Sequence, residues 1–182
     1  MYLWGVNMSQ NWKEKVKTVT LEEVEERSEN LFRSCGYNCA ESMLQTASET
    51  LGIPVDLRYV TGFGGGLGET RCVCGAFNGG VVSLNLLLGE DKQKLGARGG
   101  GRNEENAALL DLAIQEFSKK FKSQYKVNCC KVLTRTITWG TPEHLEHCVQ
   151  LTGETAKMLL QVVQNLDALK EQDSAEEEKG AN

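Results

Sequence analysis

Cys74-Gly75-Ala76-Phe77-Asn78-Gly79-Gly80-Val81-Val82-Ser83-Leu84-Asn85-Leu86-Leu87-Leu88 carries no charged side chain from end to end. A helix of this composition is apolar on every side, so it has to be buried inside a larger assembly of helices. Its small residues Gly75, Ala76, Gly79 and Gly80 let another backbone, or a cofactor, come close. The stretch therefore predicts a central, Gly-rich helix with the rest of the chain wrapped around it.

The flanking sequence supplies the wrapping. Thr20 followed by Leu21-Glu22-Glu23 reads as an N-cap with acids in the first turn, and helical spacing continues to Phe32. Gly36 interrupts it. A second helix starts at Asn38, with Cys39, Met43, Ala47 and Leu51 on one face and Gly52 as its stop. Residues 53–59 fit either a short helix after Pro54 or an alternating strand. Gly62-Phe63-Gly64-Gly65-Gly66-Leu67-Gly68 is a loop or a tightly packed backbone. Beyond the central helix, Gly89 to Arg102 reads as a polar Gly-rich loop. Asn103 then caps a long helix with Leu110, Ala113, Phe117 and Phe121 inward. Pro142 and Glu143 open the last helix, whose stripe is Leu145, Val149, Thr152, Ala156, Leu159, Val163 and Leu166. No set of strands emerges. The fold expected is all-α, a bundle of about five to seven helices around the buried Gly-rich one.

The 182 residues suit one domain, expected over 20–171, between a flexible N-terminal extension at 1–19 and a disordered acidic tail at 172–182. The net charge is −5. Six acids and two lysines between Asp167 and Asn182 contribute −4 of it, leaving −1 for everything else. This balance speaks against a nucleic-acid partner. No apolar run reaches the ~18–20 residues that span a bilayer, so a membrane partner is not expected either. The N-terminal residues show no export signal, which points to the reducing cytoplasm.

Seven cysteines against two histidines is the chemical signature of the chain. In a reducing compartment several cysteines serve as metal ligands or redox thiols more often than as structural disulfides. They fall into four neighbourhoods: Cys35 and Cys39, Cys72 and Cys74, Cys129 and Cys130, and Cys148. One thiolate from each would make a four-sulfur set suited to an iron–sulfur cluster or to zinc. The competing reading is of small buried hydrophobes. His144 and Cys148, four apart, share a helical face. Gly62 to Gly68 does not satisfy the dinucleotide or P-loop spacing, and HExxH, GxSxG and CxxCH are all missing. No catalytic residue is assigned, and an enzyme activity has no motif behind it.

Asn38-Cys39-Ala40-Glu41-Ser42, the Gly62–Gly68 loop, Cys74-Gly75-Ala76-Phe77-Asn78-Gly79-Gly80, Cys130-Lys131-Val132-Leu133-Thr134 and Cys148 together resemble the C_GCAxxG_C_C family of redox-active proteins. The resemblance runs from about Leu31 to Leu160, and CGAxxG at Cys74–Gly79 is its most specific part. It implies that Cys39, Cys74, Cys130 and Cys148 are the functional thiols and that Cys35, Cys72 and Cys129 are extra. Some relatives are exported by the twin-arginine route, which suggests a preloaded iron–sulfur group. The expectation is a protein of electron transfer or redox sensing, with a [2Fe–2S] iron–sulfur cluster on those four cysteines. Gly75, Ala76 and Gly79 would pack around that cofactor. The alternatives are a metal-free thiol/disulfide protein, a structural zinc site in an interaction module, and a helical binding protein with inert cysteines. A redox partner protein is implied, and homodimerisation through the C-terminal helix is compatible with the sequence.

Overall fold

The structure, a computed structural model, describes residues 11–34, 36–89 and 104–180. Among these, α1 (Asn11–Thr18), α2 (Leu21–Ser34) and α3 (Cys39–Leu51) come first. A one-turn segment α4 (Gly64–Leu67) precedes the central helix α5 (Gly75–Leu88) and the long α6 (Glu104–Tyr125). Another single turn, α7 (Cys130–Leu133), leads into α8 (Pro142–Gln164) and α9 (Leu166–Gly180). The protein is an all-α bundle, and seven of these segments are longer than one turn.

Local chemistry sets the helix ends. Thr20 and Glu23 exchange hydrogen bonds, with the Glu23 N–H on Thr20 Oγ1 at 3.1 Å and the Thr20 N–H on the Glu23 carboxylate at 2.8 Å. Asn38 and Glu41 repeat this box at the start of α3, and Gly52 closes that helix in the left-handed conformation. Thr141 caps α8, with Pro142 in its first turn.

The uncharged stretch lies at the centre of the packing. A Cβ on Gly79 would stand 2.7 Å from the Ala40 carbonyl and 2.8 Å from Met43 Cβ, so α3 and α5 touch backbone to backbone. A Cβ on Gly80 would collide with the ring of Phe117 on α6. Phe77 stacks on Phe117 and meets Phe121 edge-on, with centroids 5.4 and 5.1 Å apart. α2 packs along α8, with Glu29 against Gly153 and Lys157 bonded to Glu25, and buries Val24, Ser28 and Leu31. The expected stripe of α8 is buried from Val149 onward, whereas Leu145 in its first turn is exposed.

Two regions differ from expectation, and a third settles between the two alternatives open to it. Residues 11–18, assigned to a flexible extension, form α1; Val16 is buried in the core and the Gln164 amide bonds to the Val16 and Val19 carbonyls. Residues 172–180, assigned to a disordered tail, continue α9, whose Leu166 is buried at its start. Residues 53–59 resolve into a 3₁₀ turn over Leu57–Tyr59, capped by Asp56. Cys35, Asn103 and most of the expected 89–102 loop lie outside the described residues. No helix among the described residues is long and apolar enough to cross a membrane.

Candidate functional site: a four-thiol cavity

Cys39 is the first residue of α3, Cys74 the N-cap of α5, Cys130 the first residue of α7, and Cys148 lies in the second turn of α8. All four line one cavity of about 140 Å³, with Phe32, Asn38, Gly65, Gly75, Trp139 and His144 among the other walls. Around 10–15 Å³ suffices for a single water. The space is several times that of one water.

Two backbone devices bring the thiols together. Val73 and Cys129 form an isolated antiparallel bridge, with the Cys74 N–H on the Asn128 carbonyl at 2.8 Å and the Cys130 N–H on the Cys72 carbonyl at 2.6 Å. This short pairing holds Cys74 and Cys130 side by side. The second device is the loop 64–71. Gly65, Gly66, Leu67, Gly68, Glu69 and Arg71 all have left-handed φ, near +60 to +73°. For Leu67, Glu69 and Arg71 that costs energy which neighbouring contacts must offset. The reward is close approach. A Cβ on Gly66 would lie 2.7 Å from Cys130 Cβ and 3.0 Å from the Cys72 nitrogen, and a Cβ on Gly75 would run into Cys39 Sγ.

The backbone amides of Gly65, Ala40 and Ala76 favour the Cys39 thiolate, and those of Phe77 and Ala76 the Cys74 thiolate, against the larger effect of burial. Gly75 lies against the Cys39 sulfur, and Gly79 sits one turn deeper, where its missing Cβ admits α3. Burial raises all four thiols. Cys130 is pushed up to about 11 and Cys148 to about 12, with Cys39 and Cys74 also raised, and the nearby sulfurs add to the rise at Cys74, Cys130 and Cys148. At Cys130 the Arg71 guanidinium works in the opposite direction.

The six described cysteines are all free thiols. Of the three extra ones, Cys72 is exposed and Cys129 half-buried with its Sγ 3.8 Å from the Arg71 carbonyl. Neither lines the cavity. Among the described residues, no three Cys, His, Asp or Glu side chains are gathered as a ready site for a single metal ion.

Sequence reasoning paired His144 with Cys148, and their side chains do meet, Nε2 to Sγ at 3.5 Å. His144 Nδ1 accepts the Gly140 N–H at 3.4 Å, which leaves Nε2 to carry the ring proton toward sulfur. Burial lowers the His144 pKa, favouring that neutral ring. The Trp139 ring lies tilted against His144 with centroids 4.1 Å apart, and Arg71 lies 4.8 Å over Trp139. Neither Arg71 nor Trp139 had a sequence signal, because their meeting depends on the left-handed loop.

The sequence profile of the family described as "Putative redox-active protein (C_GCAxxG_C_C)" matches residues 37–162. The chain belongs to this family. No curated protein and no solved structure matches the chain significantly. The C_GCAxxG_C_C match begins just before Cys39 and ends beyond Cys148, so it spans all four cavity cysteines.

Proposed function

We propose that this C_GCAxxG_C_C protein is a redox protein whose centre is a [2Fe–2S] iron–sulfur cluster held by Cys39, Cys74, Cys130 and Cys148. The observation that carries the reading is the shared cavity: four cysteines from four separate elements line one space of about 140 Å³. A single zinc ion needs its sulfurs about 2.3 Å from one point. Four cysteines lining one several-atom space suit a cluster better.

The thiol chemistry supports the same choice. Nucleophilic thiols are found where positive charge or a helix N-terminus depresses their pKa. Here burial raises all four, so each is a neutral thiol at neutral pH and a sluggish partner in disulfide exchange. A metal ion deprotonates a coordinating thiol outright, which removes that obstacle.

When bound, such a cluster supplies reversible one-electron exchange. The protein's own part is to hold and insulate it. Gly66 and Gly75 leave room against Cys130 and Cys39. The backbone amides of Gly65, Ala40, Ala76 and Phe77 favour the thiolates of Cys39 and Cys74, and His144 Nε2 faces Cys148. Hydrogen bonds to cluster ligands raise the reduction potential. Electron transfer or redox sensing with a partner protein, in a reducing cytoplasm that keeps thiols free, is the role this arrangement serves.

Anaerobic reconstitution followed by visible absorption and by iron and acid-labile sulfide analysis tests the proposal. Equal iron and sulfide with a charge-transfer spectrum that dithionite bleaches is the expected result. A colourless, iron-free protein would overturn it.

A further inference from the structure

Arg71 is held more tightly than a surface arginine. Its φ of +60° is rarely adopted by a side-chain-bearing residue. Its own N–H bonds to the Gly65 carbonyl at 3.1 Å, and its carbonyl accepts the Lys131 N–H at 2.9 Å. The side chain turns inward. Nη2 donates to Thr134 Oγ1 at 2.9 Å, and buried Thr134 in turn donates to the Cys130 carbonyl at 2.9 Å. The guanidinium covers Trp139, Trp139 covers His144, and His144 touches Cys148. Arg71 thus bridges the Cys130 and Cys148 sides of the cavity.

Among the described residues its charge has no ion-pair partner, and the cavity's own carboxylate, Glu69, makes none with it. Its buried Nε has no hydrogen-bond partner among those residues. A partly buried cation without an opposite charge is costly, and a strained backbone adds to the cost. Both become intelligible if negative charge arrives beside it. We infer that Arg71 is the built-in counter-charge of the thiol centre, stabilising its loaded form and holding its reduction potential up. The inference rests on the cluster reading above. Four deprotonated cysteines around such a centre leave it negative. Reduction adds one further electron and breaks no bond, so a fixed cation favours the reduced form.

The test is a spectroelectrochemical titration of reconstituted full-length protein, with dithionite as the electron source, on wild type, Arg71→Lys, Arg71→Gln and Arg71→Met. Iron content and thermal melting are measured on each. Arg71→Lys keeps the charge and should stay near wild type. Arg71→Gln keeps a donor for Thr134 without the charge, and should match Arg71→Met. For both neutral variants the oxidised-to-reduced ratio at the wild-type midpoint should rise roughly tenfold, or 59 mV for one electron. Loss of iron from both neutral variants with retention in Arg71→Lys would equally support the inference. Unchanged potentials at wild-type iron content would overturn it, as would Lys behaving like Met. An iron-free wild type would instead bring down the cluster reading, and this inference with it.

Discussion

Gly75→Ala puts one methyl group where the site has no space. The new Cβ would overlap Cys39 Sγ and stand 2.7 Å from the Phe63 carbonyl oxygen. The sulfur can rotate away, but only out of the position it holds in the cavity; the carbonyl belongs to the backbone and yields less. Overpacking of this kind costs about 1–3 kcal/mol. Helix propensity acts in the other direction, since Ala is better than Gly inside a helix by roughly 0.5–1 kcal/mol. The clash should win, and in a chain of this length each kcal/mol lowers Tm by about 2–4 °C. Gly62 is the matched control: a Cβ there meets nothing within 4 Å and φ is not left-handed. Thermal unfolding in reductant, followed by circular dichroism, should place Gly75→Ala several degrees below wild type and Gly62→Ala within about 0.5 kcal/mol of it. Gly75→Ala should also take up less iron on reconstitution, because Cys39 is displaced. A Gly75→Ala protein as stable as Gly62→Ala, with wild-type iron, would refute the close packing of α5 against the thiol site.

Gly66→Ala should be harsher, since it adds left-handed strain of about 1–2 kcal/mol to a clash with Cys130 Cβ, for a total of about 2–5 kcal/mol by urea unfolding. Phe117→Ala, which empties the ring packed on Gly80 and Phe77, should cost about 3–5 kcal/mol in the same assay. The metal-free protein should lose stability as pH rises above about 9. The folded values of Cys130 and Cys148, near 11 and 12, exceed the ordinary 9.0, so the unfolded chain ionises first. Their contribution is complete below pH 9 and fades through 11 to 12. Melting curves between pH 7 and 10.5 check this, and Cys148→Ala should flatten the decline.

Much of this architecture was legible in the residues because burial leaves compositional marks. An uncharged stretch from Cys74 to Leu88 has nowhere to go but the centre, and its glycines announce neighbours at backbone distance. The capping pairs Thr20 with Glu23 and Asn38 with Glu41 act over three residues, so local reading suffices for them. The choice of Cys39, Cys74, Cys130 and Cys148 came from family resemblance, and the structure brings all four to one cavity. Gly75 and Gly79 look alike in sequence, yet one faces Cys39 and the other Ala40, a distinction that depends on how α3 lies across α5. α1 is polar overall, and its place is secured by buried Val16, by Trp12 against the core and by Gln164 from far along the chain. Arg71 and Trp139 meet only because Leu67, Glu69 and Arg71 adopt a backbone that their residue types disfavour.

Iron and acid-labile sulfide per chain, measured after anaerobic reconstitution of six single Cys→Ser variants, test the central claim most directly. Cys39→Ser, Cys74→Ser, Cys130→Ser and Cys148→Ser should each lose or weaken the centre, while Cys72→Ser and Cys129→Ser, outside the cavity, should match wild type. Full loading in any of the first four together with loss in Cys72→Ser or Cys129→Ser would contradict the account.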